Sequence, residues 1–392
     1  MKKIIPLISF SLVLVVIGFG VSGIGSVIPE FTERFAVSYA AVGRVFLFHG
    51  FGYFLTLVFG GMLGDFVSRG MLLRLGLVLA ALGFFSIVLC RSFSLMLYAF
   101  SLMGVGMGFI DCMVNPVAQS VFHDHPGATL NVIHAFFGLG SLLAPRLYAA
   151  LRDQGYTFRE FYAIIAIFTS LVALLFFFLF LPQRVERTSG RSVALAFTKK
   201  VFWLLGSTLL LYAAGVSTLN GWLVTYLTEC GLRETKGAIF LSYFWLGLLC
   251  GRFVLAPFSE RCGYLVFLRG NALGGSLGTG LLAALGVHRL WTPLFLFASG
   301  FLLSTFIPLA LAYALAMFPE SASTVSGWVL FNNGLGAFLF PWLFGFVGGR
   351  FGFRIVLAFV PLALFGVFLM QFLLERQGIQ RKGVVTRASG RS

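Results

Sequence analysis

Asp111 lies in the middle of an apolar run, with Asn115 four residues on and Gln119 four beyond that. In a helix these three side chains share one face. After a short polar break at His123, Asp124 and His125, a second apolar run carries Asn131 and His134, three residues apart. A carboxylate in hydrocarbon is costly and normally faces a bundle interior or a water-filled cavity, which makes Asp111 the first candidate for chemistry. The groups around it suit recognition of a hydroxylated solute, because carboxylate and amide oxygens accept from hydroxyls while amide N–H groups donate. An acid removed from water favours its neutral form, so Asp111 and the His134 imidazole are also candidates to exchange a proton. Asn220, Asn332 and Asn333 add donors and acceptors in the second half, and Trp222, Tyr226 and Trp328 offer flat faces for a sugar ring.

The elements that must position these groups follow from composition. The chain has 392 residues, of which 59% are hydrophobic and 10% charged, with mean hydropathy +0.97. Soluble domains do not reach such values. A spanning helix needs about 20 apolar residues, so the chain holds about a dozen spans and no soluble catalytic domain. The net charge of +15 fits basic loops on the cytoplasmic side and anionic headgroups, and no nucleic-acid-binding motif accompanies it. Cys90, Cys112, Cys230, Cys250 and Cys262 form no paired spacing, so neither a disulfide framework nor a metal site is expected. His123 and His125 flank Asp124 as in a solvated turn. No HExxH or GxSxG pattern is present, so neither an enzyme nor a cofactor is expected.

Hydropathy and punctuation predict twelve helices, at about 4–28, 42–63, 71–90, 94–118, 130–150 and 161–181, then 201–227, 236–258, 264–287, 291–316, 322–347 and 353–374. The expected fold is an all-α membrane protein with a six-helix bundle at 1–181, a basic linker at 182–200, a second bundle at 201–374 and a basic tail at 375–392. The halves repeat. Gly138, Gly140 and Pro145 recur 196 residues later as Gly334, Gly336 and Pro341, and Asp65 and Arg74 recur at an offset of 195 as Glu260 and Arg269. Such matching predicts two pseudo-symmetric halves of parallel topology. Linker and tail share the basic excess, which places both termini in the cytoplasm. Lys2 and Lys3 begin a run read as a retained first span.

The loop after the second span carries Gly61, Leu63, Asp65 and Arg69. It resembles the signature loop of the major facilitator superfamily, with Ser68 where that signature has Gly; a degraded second copy runs through Gly251, Arg252, Ser259, Glu260, Arg261 and Gly263. Asp65, Arg69, Glu260 and Arg261 are read as gating residues on that pattern. Asp111, Asn115, Pro116, Leu130, Asn131, Gly138, Gly140 and Pro145 resemble the fourth and fifth helices of the fucose permease branch, a family of sugar:proton symporters. That resemblance implies uptake of a sugar or polyol across the inner membrane, coupled to a proton or to sodium; export of amphiphiles by the same fold is the alternative. Two departures stand out. Gly25 occupies the place of the family's first-helix acid, with Glu30 beyond Pro29, and the seventh helix keeps Gly221 and Trp222 without the acid that often precedes them.

Overall fold

Small polar side chains take the free N–H groups at the starts of several spans. The computed structural model describes residues 4–64, 66–122, 126–179, 199–318 and 322–378. Its helices are α1 (Ile4–Phe35), α2 (Tyr39–Val42), α3 (Arg44–Leu63), α4 (Arg69–Leu89), α5 (Phe93–Val121), α6 (Pro126–Asp153) and α7 (Phe158–Phe178). A second set follows: α8 (Lys200–Glu229), α9 (Glu234–Cys262), α10 (Tyr264–Leu285), α11 (Trp291–Leu303), α12 (Phe306–Met317), α13 (Ala322–Phe351) and α14 (Phe353–Gly378). Ser38, Ser68 and Ser92 cap α2, α4 and α5, and Thr157 with Glu160 forms a capping box on α7.

Among the described residues eleven stretches of helix are long and apolar enough to cross a membrane. Helix α10 is long enough too, but its glycines, Arg269 and Asn271 lower its hydropathy. The tenth predicted span divides at Ser304 and Thr305 into α11 and α12, and Asn271 Nδ2 donates to Thr305 Oγ1 at 2.8 Å across the break. Polar groups freed at a broken helix need such a partner in a dry interior. Asp65, His123, Asp124, His125, the basic linker as far as 198 and the tail beyond 378 lie outside the described residues.

The repeat read from the glycines is a repeat of contacts. A Cβ on Gly140 would lie against the Val15 carbonyl, and one on Gly336 against the Leu210 carbonyl. Gly52 and Gly104 meet the Ser101 and His49 carbonyls, as Gly247 and Gly300 meet those of Phe297 and Phe244. Arg74 Nε donates to the Phe176 carbonyl at 2.9 Å, and Arg269 Nη2 to the Gln371 carbonyl at 3.5 Å. Each pair is separated by 195 or 196 residues, so the same crossings are built twice. Only a residue without a side chain permits backbones to approach this closely.

Not every glycine does so. Nothing lies within 4 Å of the Cβ direction at Gly334. Gly140→Leu and Gly336→Leu are expected to destabilise by about 1–3 kcal/mol each through overpacking, while Gly334→Ala leaves the melting temperature of the detergent-solubilised protein unchanged. Equal losses in all three would show that the repeated crossings do not carry this part of the stability.

The helices run alternately up and down, so the turns near 36–38, 90–92, 154–157, 230–233 and 352 gather at one end, opposite the chain ends. Arg159 Nη2 reaches the Cys90 carbonyl at 3.1 Å, Phe158 N–H reaches Glu30, and Phe353 N–H reaches Glu229 Oε2 at 3.4 Å across this far end. At Gly155 and Gly352 φ is +85° and +84°, which lets the chain reverse between helices where a side chain would be strained.

Candidate functional site

Helices α3, α5 and α6 of the first half bring four polar side chains together. The Gly52 and Gly104 contacts press α3 onto α5, which places Tyr53 beside Asp111. The Tyr53 hydroxyl donates to Asp111 Oδ2, leaving Oδ1 for a proton or a ligand. One turn along α5, Asn115 Oδ1 lies 2.8 Å from His134 Nε2 on α6. With the amide oxygen facing the ring, Nε2 carries the hydrogen, because a carbonyl only accepts. Pro116 has no N–H, so the Cys112 carbonyl one turn back is released next to this stripe. Asp111, Asn115 and His134 are each partly exposed.

The second half supplies a cation. Arg252 on α9 donates through Nη1 to the His134 carbonyl at 2.9 Å, and its Nε faces the Ser304 carbonyl at 3.4 Å. The group therefore lies where the two halves meet. Arg252 is legible in the sequence as a residue of the degraded signature loop and as a structural or gating cation; its reach to the α6 backbone depends on packing. Tyr53 was not singled out, although a tyrosine one helical turn after His49 in an apolar span is a legible signal. His49 itself is packed with Nδ1 buried and without a partner.

The other expected site residues divide by position. Gln119 is exposed, two turns beyond Asp111. Asn131 belongs to α6 and Glu260 and Arg261 to α9, but their side chains lie outside the described ones, while Arg69 opens α4. Asn220, 5% exposed, is a clasp between halves: its Nδ2 donates to the Val21 carbonyl at 3.0 Å and its Oδ1 accepts from Trp245 Nε1 at 3.1 Å. Trp222, 1% exposed, gives its indole N–H to the Pro341 carbonyl at 2.8 Å and stacks on Phe353, so it offers no face to a solute. Tyr226 lines a far-end crevice of about 370 Å³ with Glu229, Cys230 and Arg354, away from Asp111. Asn332 Nδ2 turns back to the Trp328 carbonyl at 2.8 Å, whereas Asn333 Oδ1 is buried without a partner. Trp328 stacks on Phe202 and Phe331, and Phe331 meets Phe54 of α3.

The position of the missing first-helix acid is also explained. A Cβ at Gly25 would lie against the Asn220 carbonyl, so α1 and α8 cross too closely there for any side chain. The buried carboxylate of α1 is Glu30, 3% exposed, at the far end. Its oxygens accept from Phe158 N–H at 3.1 and 2.9 Å, and its Oε2 from the Tyr148 hydroxyl at 2.9 Å. The same hydroxyl contacts Glu234 Oε1 of α9, and Arg152 Nε faces Glu234 Oε2 at 3.4 Å. Farther along the same two helices, Arg146 Nε donates to Ser242 Oγ at 3.0 Å. Contacts between the halves thus run from the far end to the level of His134.

Two repeated six-helix halves that meet around ionisable side chains define a membrane transporter. The profile of the Major Facilitator Superfamily matches residues 10–341, and the chain belongs to that superfamily. Sodium-dependent glucose transporter 1 of Xenopus laevis is 24% identical over 192 residues, 43% of this chain and 39% of that protein. The human protein of that name is 22% identical over 284 residues, 63% and 55% of the two chains. The chain thus spans between 39% and 55% of the length of these glucose transporters. The Escherichia coli inner membrane transport protein YdiN is 21% identical over 342 residues, 84% of this chain and 80% of its own. Among solved structures, the nucleoside transporter NupG superposes with TM-score 0.80 at 14% identity, over 95% of this chain and all of that one. The E. coli fucose:proton symporter FucP does so with TM-score 0.68 at 17% identity, over 95% and 99%. Both likenesses concern the fold.

Proposed function

We propose that this chain is a secondary transporter that takes up a sugar or related polyol across the cytoplasmic membrane by alternating access, coupled to protons. The observation that carries the reading is the Asp111 carboxylate, held by Tyr53 with one oxygen unused, next to the Asn115–His134 pair at the junction of the halves. A hydroxylated solute finds there an anionic acceptor, amide groups and an imidazole. Asp111 accepts a solute hydroxyl and carries the proton, and His134 sets its local charge. Arg252 closes the site from the opposite half by holding the α6 backbone. The sugar transporters among the relatives support the substrate class.

Reconstituted vesicles test this directly. A pH gradient, acid outside, is expected to drive accumulation of at least one labelled hexose or polyol above its equilibrium level, and a sodium gradient of equal size is not. Accumulation with sodium alone would reassign the ion. Flux confined to lipophilic compounds would overturn the substrate class.

A further inference from the structure

The Tyr148 hydroxyl stands between two carboxylates, 2.9 Å from Glu30 Oε2 and in hydrogen-bond contact with Glu234 Oε1. A phenol has one O–H to give, and an ionised carboxylate can only accept. When Tyr148 donates to one carboxylate, its contact with the other is attractive only if that second carboxyl holds a proton. The local geometry decides which one does. Phe158 N–H, at the start of α7, points at both oxygens of Glu30, and a helix N-terminus favours an anion. Glu30 is therefore the acceptor. Glu234 donates from Oε1 to Tyr148, with Arg152 Nε at its other oxygen.

We propose that Glu30, Tyr148 and Glu234 form a proton-binding latch that holds the far ends of the two halves together. Its ligand is one proton, bound when Glu234 of α9 docks on Tyr148 of α6 and released when the halves part. This deepens the transporter reading, because it gives proton coupling a second site although Gly25 leaves the family's first-helix position without an acid. Proton binding by the latch, however, does not require a sugar.

The charged and titratable groups facing the latch come from every helix packed around it. Helix α1 contributes Glu33 and Arg34, α6 Arg152 and Asp153, α7 Arg159 and Tyr162, and Arg233 precedes α9, which adds Lys236. Arg152 Nη2 lies 3.8 Å from Glu33, Arg233 3.5 Å from Asp153, and Arg34 over the Phe158 ring at 5.6 Å. Arg159 is turned to the Cys90 carbonyl, and the Tyr162 hydroxyl is buried without a partner. Arg233 faces Asp153, whereas Arg152 is shared between Glu33 and, at 3.4 Å, Glu234 itself, so it is the cation that stays with Glu234 when the proton leaves. The side chains of Glu33 and Arg233 are 80% and 77% exposed, so the cluster reaches solvent and can exchange its proton there. Raising pH strips the proton and leaves two anions on a hydroxyl that can serve one, which opens the far end; lowering pH closes it.

The test uses full-length protein in nanodiscs without any solute, its native cysteines replaced, with spin labels at Gln154→Cys and Lys236→Cys. The short-distance population is expected to fall as pH rises with the steepness of a single proton. Glu234→Gln is expected to keep the short distance at all pH values, because the amide donates to Tyr148 as the protonated acid does. A parent distance that ignores pH, or a Glu234→Gln protein with the parent's pH response, would overturn the latch. Tyr148→Phe provides a second measurement should Glu234→Gln fail to fold: it is expected to lower the closed population wherever the parent is closed, and closure like the parent's refutes the proposal. A responsive latch in protein that accumulates no sugar would remove the substrate reading alone, and sugar accumulation with an unresponsive latch would remove the latch alone.

Discussion

Asp111→Asn is expected to abolish pH-driven accumulation of sugar in vesicles while exchange of labelled for unlabelled sugar continues. The asparagine keeps the shape of the side chain and can still accept from Tyr53, whose hydroxyl already satisfies one oxygen. It cannot bind and release a proton. Movement of the halves with sugar bound then carries no proton with it, so the sugar distributes to its equilibrium ratio and no further. Affinity falls as well, because a charge-assisted hydrogen bond to the solute becomes a neutral one. That difference is worth about 1 kcal/mol, or roughly five- to tenfold in Kd. The measurement is the steady-state accumulation ratio beside the exchange rate at matched protein level. Concentrative uptake equal to the parent's would end the assignment of Asp111 as the proton carrier, and loss of exchange together with uptake would assign it to binding alone.

The pattern that made Asp111 visible also marks how far sequence reaches. Spacing of four between Asp111 and Asn115 and of three between Asn131 and His134 put candidates on helix faces, and Asp111, Asn115 and His134 do come together. Gln119 obeyed the same spacing and is exposed. Pro116 removes one bond of the ladder, to the Cys112 carbonyl, and Gln119 lies two residues before the end of the helix at Val121. The matched glycines were legible because backbone contact leaves no freedom of residue type, so Gly140 and Gly336 had to be glycine for the same reason. Its chemistry alone makes Trp222 a stacking platform. Its indole N–H had another use, at the Pro341 carbonyl in the second repeat, which no local pattern reveals. The same holds for Tyr53 with Asp111, for Arg252 with His134 and for Tyr148 with Glu30 and Glu234: each partner is a tertiary neighbour far away in the chain. The family resemblance pointed to an acid on the first helix, and the absence of one at Gly25 became intelligible only when the Asn220 carbonyl was found against it.

That crossing sets up the second large effect. Gly25→Val is expected to disfavour closure of the far end and to lower transport by about 5- to 150-fold while leaving the protein folded. A Cβ on Gly25 would meet the Asn220 carbonyl and the Gly221 Cα, the latter at 3.1 Å. The Asn220 side chain cannot swing away to make room, because the Val21 carbonyl and Trp245 Nε1 hold it from both sides, and the obstructing atom is in any case backbone. The contact is between the halves, so its loss penalises only the arrangement in which they meet. An overpacking cost of about 1–3 kcal/mol directed at one state lowers its population about 5- to 150-fold relative to the other. Gly18→Val supplies the contrast. A Cβ there would lie against the Phe137 carbonyl of α6, inside one half, where the cost falls on every state and appears as a lower melting temperature. The expected pair of results is a Gly25 variant with nearly parental melting, slow transport and long inter-label distances, and a Gly18 variant with early melting. A Gly25→Val protein that transports at the parental rate would show that α1 and α8 need not approach this closely in any state the transport cycle visits.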